Sequence, residues 1–127
     1  MILISSQVRS YAYNAGFRGQ ALDYAVQIAK CESGFDTGIN AIGAEDSRGL
    51  WQIHYPTWGK IFTGDLYNPQ YNAYAAYQIY LLAGKSFRDW SCAKILGLVN
   101  PLDTIATVST GTLAFVSIIA LYLLSNE

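Results

Sequence analysis

Along residues 21–30, apolar side chains fall at 21, 22, 25, 26, 28 and 29, the spacing of a helix with one buried face. Glycines at 34, 38 and 43 break that periodicity, and a polar loop follows over roughly 36–48. A short apolar run, Gly49-Leu50-Trp51-Gln52-Ile53, comes next, then Pro56-Thr57-Trp58. Asn68-Pro69 has the form of a helix start, with asparagine as N-cap and proline in the first turn. The helix it opens is predicted to run to about residue 83, with Gly84 as its stop. Its tyrosines, at 71, 74, 77 and 80, recur at helical spacing, which reads as a stripe turned to the core. A last segment covers 87–96, and Asn100-Pro101 breaks the chain after it. No stretch sustains the alternation of a strand. The pattern predicts a mostly α domain over residues 1–100, whose long loop can fold into a small hairpin.

Beyond that break the pattern changes. Residues 104–126 carry no charge. At ~1.5 Å per residue the stretch is long enough for a hydrocarbon core of ~30 Å. Its first half is diluted by threonines, whose hydroxyls can bond carbonyls one turn back. Its second half, Leu113–Leu124, is almost continuously apolar and lacks the polar stripe of a soluble core helix. Residues 101–127 are therefore expected to form one C-terminal transmembrane helix, with Asp103 as its N-cap. Arg88 and Lys94 precede the span and no basic residue follows it. Inserted from the cytoplasm, such a span would keep the domain on that side, although a tail anchor can also reach other membranes. The N-terminus, MILISSQVRS, lacks the charged start and long apolar run of a signal peptide.

Composition narrows the function. A chain of 127 residues allows one small domain. Eight basic residues face nine acidic ones, so no basic field is available for a nucleic acid, and none is expected as a partner. One histidine and two cysteines cannot supply the four ligands of a structural zinc site, so no metal is expected. No phosphate-cradling glycine loop occurs and no cofactor is expected. His54 has no nucleophile-elbow serine to work with. Cys31 and Cys92 allow two readings. They are buried thiols or, where the domain meets an oxidising space, a disulfide closing a loop of about 60 residues and adding ~4 kcal/mol.

Among the acids Glu32 differs, because it ends an apolar helix and precedes Ser33-Gly34-Phe35. By position alone it would point to water, as most glutamates do. Held against apolar neighbours instead, a carboxyl has its charged form disfavoured. An acid still protonated near neutral pH can donate to a glycosidic oxygen.

Four pieces occur in order: Cys31-Glu32-Ser33-Gly34-Phe35-Asp36-Thr37; Gly49-Leu50-Trp51-Gln52-Ile53; Pro56-Thr57-Trp58; and the helix from Asn68-Pro69 to Tyr80 with Asn72 inside it, followed by Gly84 and Trp90-Ser91. Over about residues 21–92 this set resembles the lysozyme-like superfamily, most closely soluble lytic transglycosylases and phage lysozyme-like domains. The resemblance implies a small α-rich fold with a cleft between two lobes, and cleavage of peptidoglycan between N-acetylmuramic acid and N-acetylglucosamine. It implies Glu32 as catalytic acid, Gln52 as a cleft glutamine, Ser33 near the sugar, Tyr77 as an aromatic close to the acid, and Asn72 as a structural asparagine. Trp51 fills a variable slot and reads equally as core or as substrate contact. A glycan presents hydroxyls and flat apolar faces. Gln52, Asn40, Tyr55, Trp58 and the helix tyrosines can supply hydrogen bonds and platforms for them.

Glycosidases commonly use a second carboxylate. In animal-type lysozymes it stands two residues before the glycine of G-x-x-Q-I, where this chain has Ser47. Asp46, one residue off, is the candidate second acid. Lytic transglycosylases manage with one glutamate, and the E-S-G-F and N-A-x-A-A-Y forms lean to that group. The expectation is a membrane-anchored lytic transglycosylase. The short chain and missing signal peptide suggest a phage origin and a role in crossing the cell wall during infection or release. The alternatives are a hydrolytic muramidase and a non-catalytic glycan-binding protein of a virion or secretion machine. A transglycosylase of a conjugation or secretion system would share the chemistry. Expected partners are glycan strands, a lipid bilayer, and other membrane proteins of a virion or secretion machine. The expected location is a virion membrane or host envelope.

Overall fold

The computed structural model describes residues 1–41 and 45–98. The predicted transmembrane helix, 101–127, lies outside them. Among the described residues no helix is long and apolar enough to cross a membrane. The described chain is mostly helical with one small antiparallel sheet: α1 (Ser5–Ala15), α2 (Gly19–Ser33), β1 (Ser47–Arg48), β2 (Ile53–His54), α3 (Tyr55–Trp58), α4 (Pro69–Leu82) and α5 (Ser91–Ile95). It divides into two compact units, Met1–Tyr77 and a second that begins at Gln78.

In the first unit α1 packs against α2. The periodicity of the sequence predicts α2 but not α1. In SSQVRSYAYNA only Val8 and Ala12 are buried, one turn apart, so no broad apolar stripe announces the helix. Tertiary contact supplies what propensity does not. Gln7 Oε1 accepts from the Ile4 N–H at 2.9 Å, and Arg9 pairs with Asp23 of α2 at 2.6 Å. The helix ends at Gly16, whose φ of 132° suits glycine, and a Cβ there would collide with the Tyr77 ring. On α2, Leu22, Ala25, Ile28 and Ala29 form the buried face, as their spacing predicts.

The polar loop folds into the hairpin that the sequence allowed. β1 pairs with β2 in the register Ser47↔His54 and Arg48↔Ile53. A third short segment lies along β1. Asn40 bridges Arg48, the Ala41 N–H donates to the Ser47 carbonyl, and the Gly49 N–H donates to the Ile39 carbonyl, both at 2.9 Å.

α4 begins where Asn68-Pro69 predicts, with the Tyr71 N–H donating to Asn68 Oδ1 at 2.9 Å. Its buried face is not the tyrosine stripe. Asn72, Ala73, Ala75 and Ala76 are buried, whereas Tyr71 and Tyr77 are half-buried and Tyr74 is exposed.

In the second unit α4 ends at a left-handed Gly84-Lys85 pair, φ 74° and 61°. The Lys85 N–H donates to the Tyr80 carbonyl at 2.9 Å. Phe87 lies between Tyr80 and Trp90, with ring centroids 4.6 and 5.9 Å away. α5 falls within the predicted 87–96 segment.

Candidate active site

Glu32 is the penultimate residue of α2 and is half-buried. The helix stops beyond it because Gly34 turns left-handed, φ 63°, and its N–H donates to the Lys30 carbonyl at 2.9 Å. Phe35 follows in the same conformation, φ 65°, with its side chain buried. Ser33 is buried, and its hydroxyl donates to the Ala29 carbonyl at 2.9 Å. That serine therefore braces the last turn of the helix.

Gln52 sits at the far end of the hairpin turn with φ 46°. Its Nε2 donates to the carbonyls of Ile39 at 3.1 Å and Gly49 at 3.0 Å. Two bonds fix the amide plane, and Oε1 has no hydrogen-bond donor among the described residues. The turn is held from below by Asn72, which is fully buried. Its Oδ1 accepts from the Trp51 N–H at 2.8 Å, and its Nδ2 donates to the Arg48 and Leu66 carbonyls, each at 2.8 Å. Gly49, φ 76°, leaves space for that amide, since a Cβ there would collide with Asn72 Nδ2 and the Leu66 carbonyl. The role expected of Asn72, structural support, matches these bonds.

Asp46 begins the same hairpin. Its Oδ1 accepts from Asn40 Nδ2 at 2.8 Å and Arg48 Nε at 2.9 Å, and its Oδ2 accepts from Arg48 Nη2 at 3.1 Å. The Arg48 bonds, then the Asn40 bond, hold its carboxyl below the usual carboxylate range. Asp46 and Gln52 thus hold the same Ile39–Ala41 segment from opposite ends of the turn. Arg48 was not singled out by sequence reasoning. Asp46 is left-handed, φ 36°, just before β1, so no strand alternation announces its pairing with Arg48.

The profile of the lysozyme-like domain family matches residues 9–92. The chain belongs to this family. No curated protein and no solved structure matches it. A lysozyme-like domain acts on peptidoglycan as a glycosidase-type enzyme, and the matched segment contains Glu32, Asp46, Gln52 and Tyr77.

The aromatic residues of this lysozyme-like domain divide by exposure. Trp51 is fully buried, and its indole N–H donates to the Ala25 carbonyl at 2.9 Å, so it fills the core and offers no face to a sugar. Trp58 is half-buried against Phe62, centroids 5.9 Å apart. Tyr55 is exposed, with the Arg48 guanidinium 3.7 Å from its ring centre. Tyr77 meets Phe17 edge-on at 4.9 Å. His54 Nδ1 and Thr57 Oγ1 lie 2.7 Å apart. Cys31 and Cys92 are both disulfide-bonded.

Proposed function

We propose that the chain is a lytic transglycosylase, cleaving the β-1,4 bond between N-acetylmuramic acid and N-acetylglucosamine with Glu32 as its single acid–base group. The observation that carries this reading is the state of Asp46. Three donors occupy its two oxygens, which makes it a weak base and a poor carrier of a proton. Glu32 stands half-buried at the end of α2, inside the segment that matches the lysozyme-like family.

Glu32 gives its proton to the glycosidic oxygen as the bond to C1 breaks. The resulting carboxylate then takes the proton of the muramic acid's 6-hydroxyl, whose oxygen closes onto C1. The product is a 1,6-anhydro sugar, no water is consumed, and Glu32 is reprotonated for the next cycle. In this reading Gln52 accepts from a sugar N–H or hydroxyl through Oε1, and Trp58 and Tyr77 face the glycan.

The reading extends to a membrane anchor at residues 101–127, supported by the uncharged run 104–126. A wall-cleaving domain tied to a bilayer suits a particle that crosses both barriers, such as a phage. Mass spectrometry of muropeptides released from cell wall tests the chemistry. Anhydro ends are expected. Reducing ends that depend on Asp46 would make the protein a hydrolytic muramidase, and no turnover at all would leave a glycan-binding protein. For the anchor, the full chain is expected in the membrane fraction and a chain ending at Asn100 in the supernatant.

A further inference from the structure

The extended residues before α1 lie along the turn that follows Glu32. Ile2 forms an antiparallel bridge with Asp36. The Leu3 N–H donates to the Phe35 carbonyl, and the Thr37 N–H donates to the Met1 carbonyl, both at 2.9 Å. The Thr37 hydroxyl donates to that same carbonyl at 3.3 Å. Leu3, Phe35 and Thr37 are all buried.

The turn they hold is strained. Glycine adopts a φ of 63° without penalty, but phenylalanine at 65° is in a disfavoured state that persists only where its surroundings fix it. Here the Phe35 ring is buried with the Lys30 ammonium 4.9 Å from its centre, and the Phe35 carbonyl is bonded to Leu3. Were Phe35 to relax to negative φ, the chain would leave α2 in another direction. The Asp36–Thr37 pairing would be lost, and the last helical turn, which carries Glu32, would fray. The family match starts at residue 9, so this bracing segment lies outside the matched part of the chain.

We infer that residues Met1–Ile4 form a strap that locks the strained Gly34-Phe35 turn and so aims Glu32, which makes Leu3 and Phe35 positioning residues for glycan cleavage. The inference rests on Glu32 being the acid of the proposed reaction. A general acid misplaced by about 1 Å can lose about 10²-fold in rate. The effect of loosening the strap therefore falls on kcat rather than on glycan binding.

Two variants of the full chain test it, assayed on soluble glycan-strand fragments with thermal melts to establish folding. Leu3→Pro removes the N–H that Phe35 accepts. It should lower kcat by about 10- to 100-fold, with KM changed by about twofold or less. Thr37→Val removes only the hydroxyl bond and should lower kcat by about two- to tenfold. If Leu3→Pro does not fold, Thr37→Val decides alone. Wild-type kcat in a folded variant, a loss that merely tracks the folded fraction, or a raised KM with unchanged kcat would each overturn the strap. Glu32→Gln, run in parallel, separates the two ideas. Wild-type turnover there removes the acid itself, whereas an inactive Glu32→Gln beside fully active strap variants removes only the strap.

Discussion

Two carboxyl groups in this domain stand on different backbone elements, Glu32 at the end of α2 and Asp46 just before β1. Asp46 accepts three hydrogen bonds, two from a guanidinium, and these favour its charged form. Glu32 stands half-buried at a helix end before a strained turn. A carboxylate saturated with donors can brace a loop but gives up and takes back protons poorly. The sequence distance between the two acids is short, yet the backbone places one at the end of a helix and the other in a hairpin clamp.

The largest expected effect breaks the comparison at Glu32. Glu32→Gln keeps size and polarity but carries no exchangeable acid proton. Wall cleavage should fall by about 10²- to 10⁴-fold while the melting profile is kept. Turbidity clearing of cell walls at the wild-type rate would remove Glu32 from the chemistry.

Next comes the support beneath the hairpin. Asn72→Ala leaves the buried Trp51 N–H and the Arg48 and Leu66 carbonyls without their partner. A loss of about 3–5 kcal/mol is expected in denaturant titration. A loss below about 1 kcal/mol would mean that the amide is dispensable.

At Asp46 the change should be smaller. Asp46→Asn removes the charge that Arg48 pairs with but leaves a side chain of the same shape. Activity within about tenfold of wild type and unchanged anhydro products are expected. Abolished activity with reducing ends would turn the comparison around and make Asp46 a reacting group.

The smallest effect is one of pH. The Asp46 carboxyl titrates below its ordinary 3.8 because Arg48 and Asn40 bond its charged form. Its contribution to stability is complete above that value and is lost as pH falls through the lower folded one. Thermal melts from about pH 2 to 5 should show a shallower acid decline in Asp46→Asn than in the wild type.

Much of this architecture could be read from the residues. Asn68-Pro69 announces α4, because an amide cap and a proline act locally. The apolar spacing over 21–30 announces α2, because one face meets the core. What the pattern missed depends on distant contacts. α1 has too few apolar positions to be recognised before α2 is placed beside it. The tyrosines of α4 have the periodicity of a buried face, yet Ala73, Ala75 and Ala76 are fully buried while Tyr74 is exposed. For the candidate site, Glu32 is proposed from its motif, whereas the Asn40–Asp46 and Leu3–Phe35 bonds depend on residues that only the fold brings together.

The amide of Asn72 reaches partners 21 and 24 positions earlier in the chain. The hairpin turn cannot reach its final form until α4 docks beneath it, however readily β1 and β2 pair on their own. Formation of the turn thus depends on a contact distant in sequence, and its release follows when α4 withdraws that contact. The Trp51 amide proton reports both, because it can exchange with solvent only when α4 lets go. Its exchange rate reads how often that side of the domain breathes, without any substrate present.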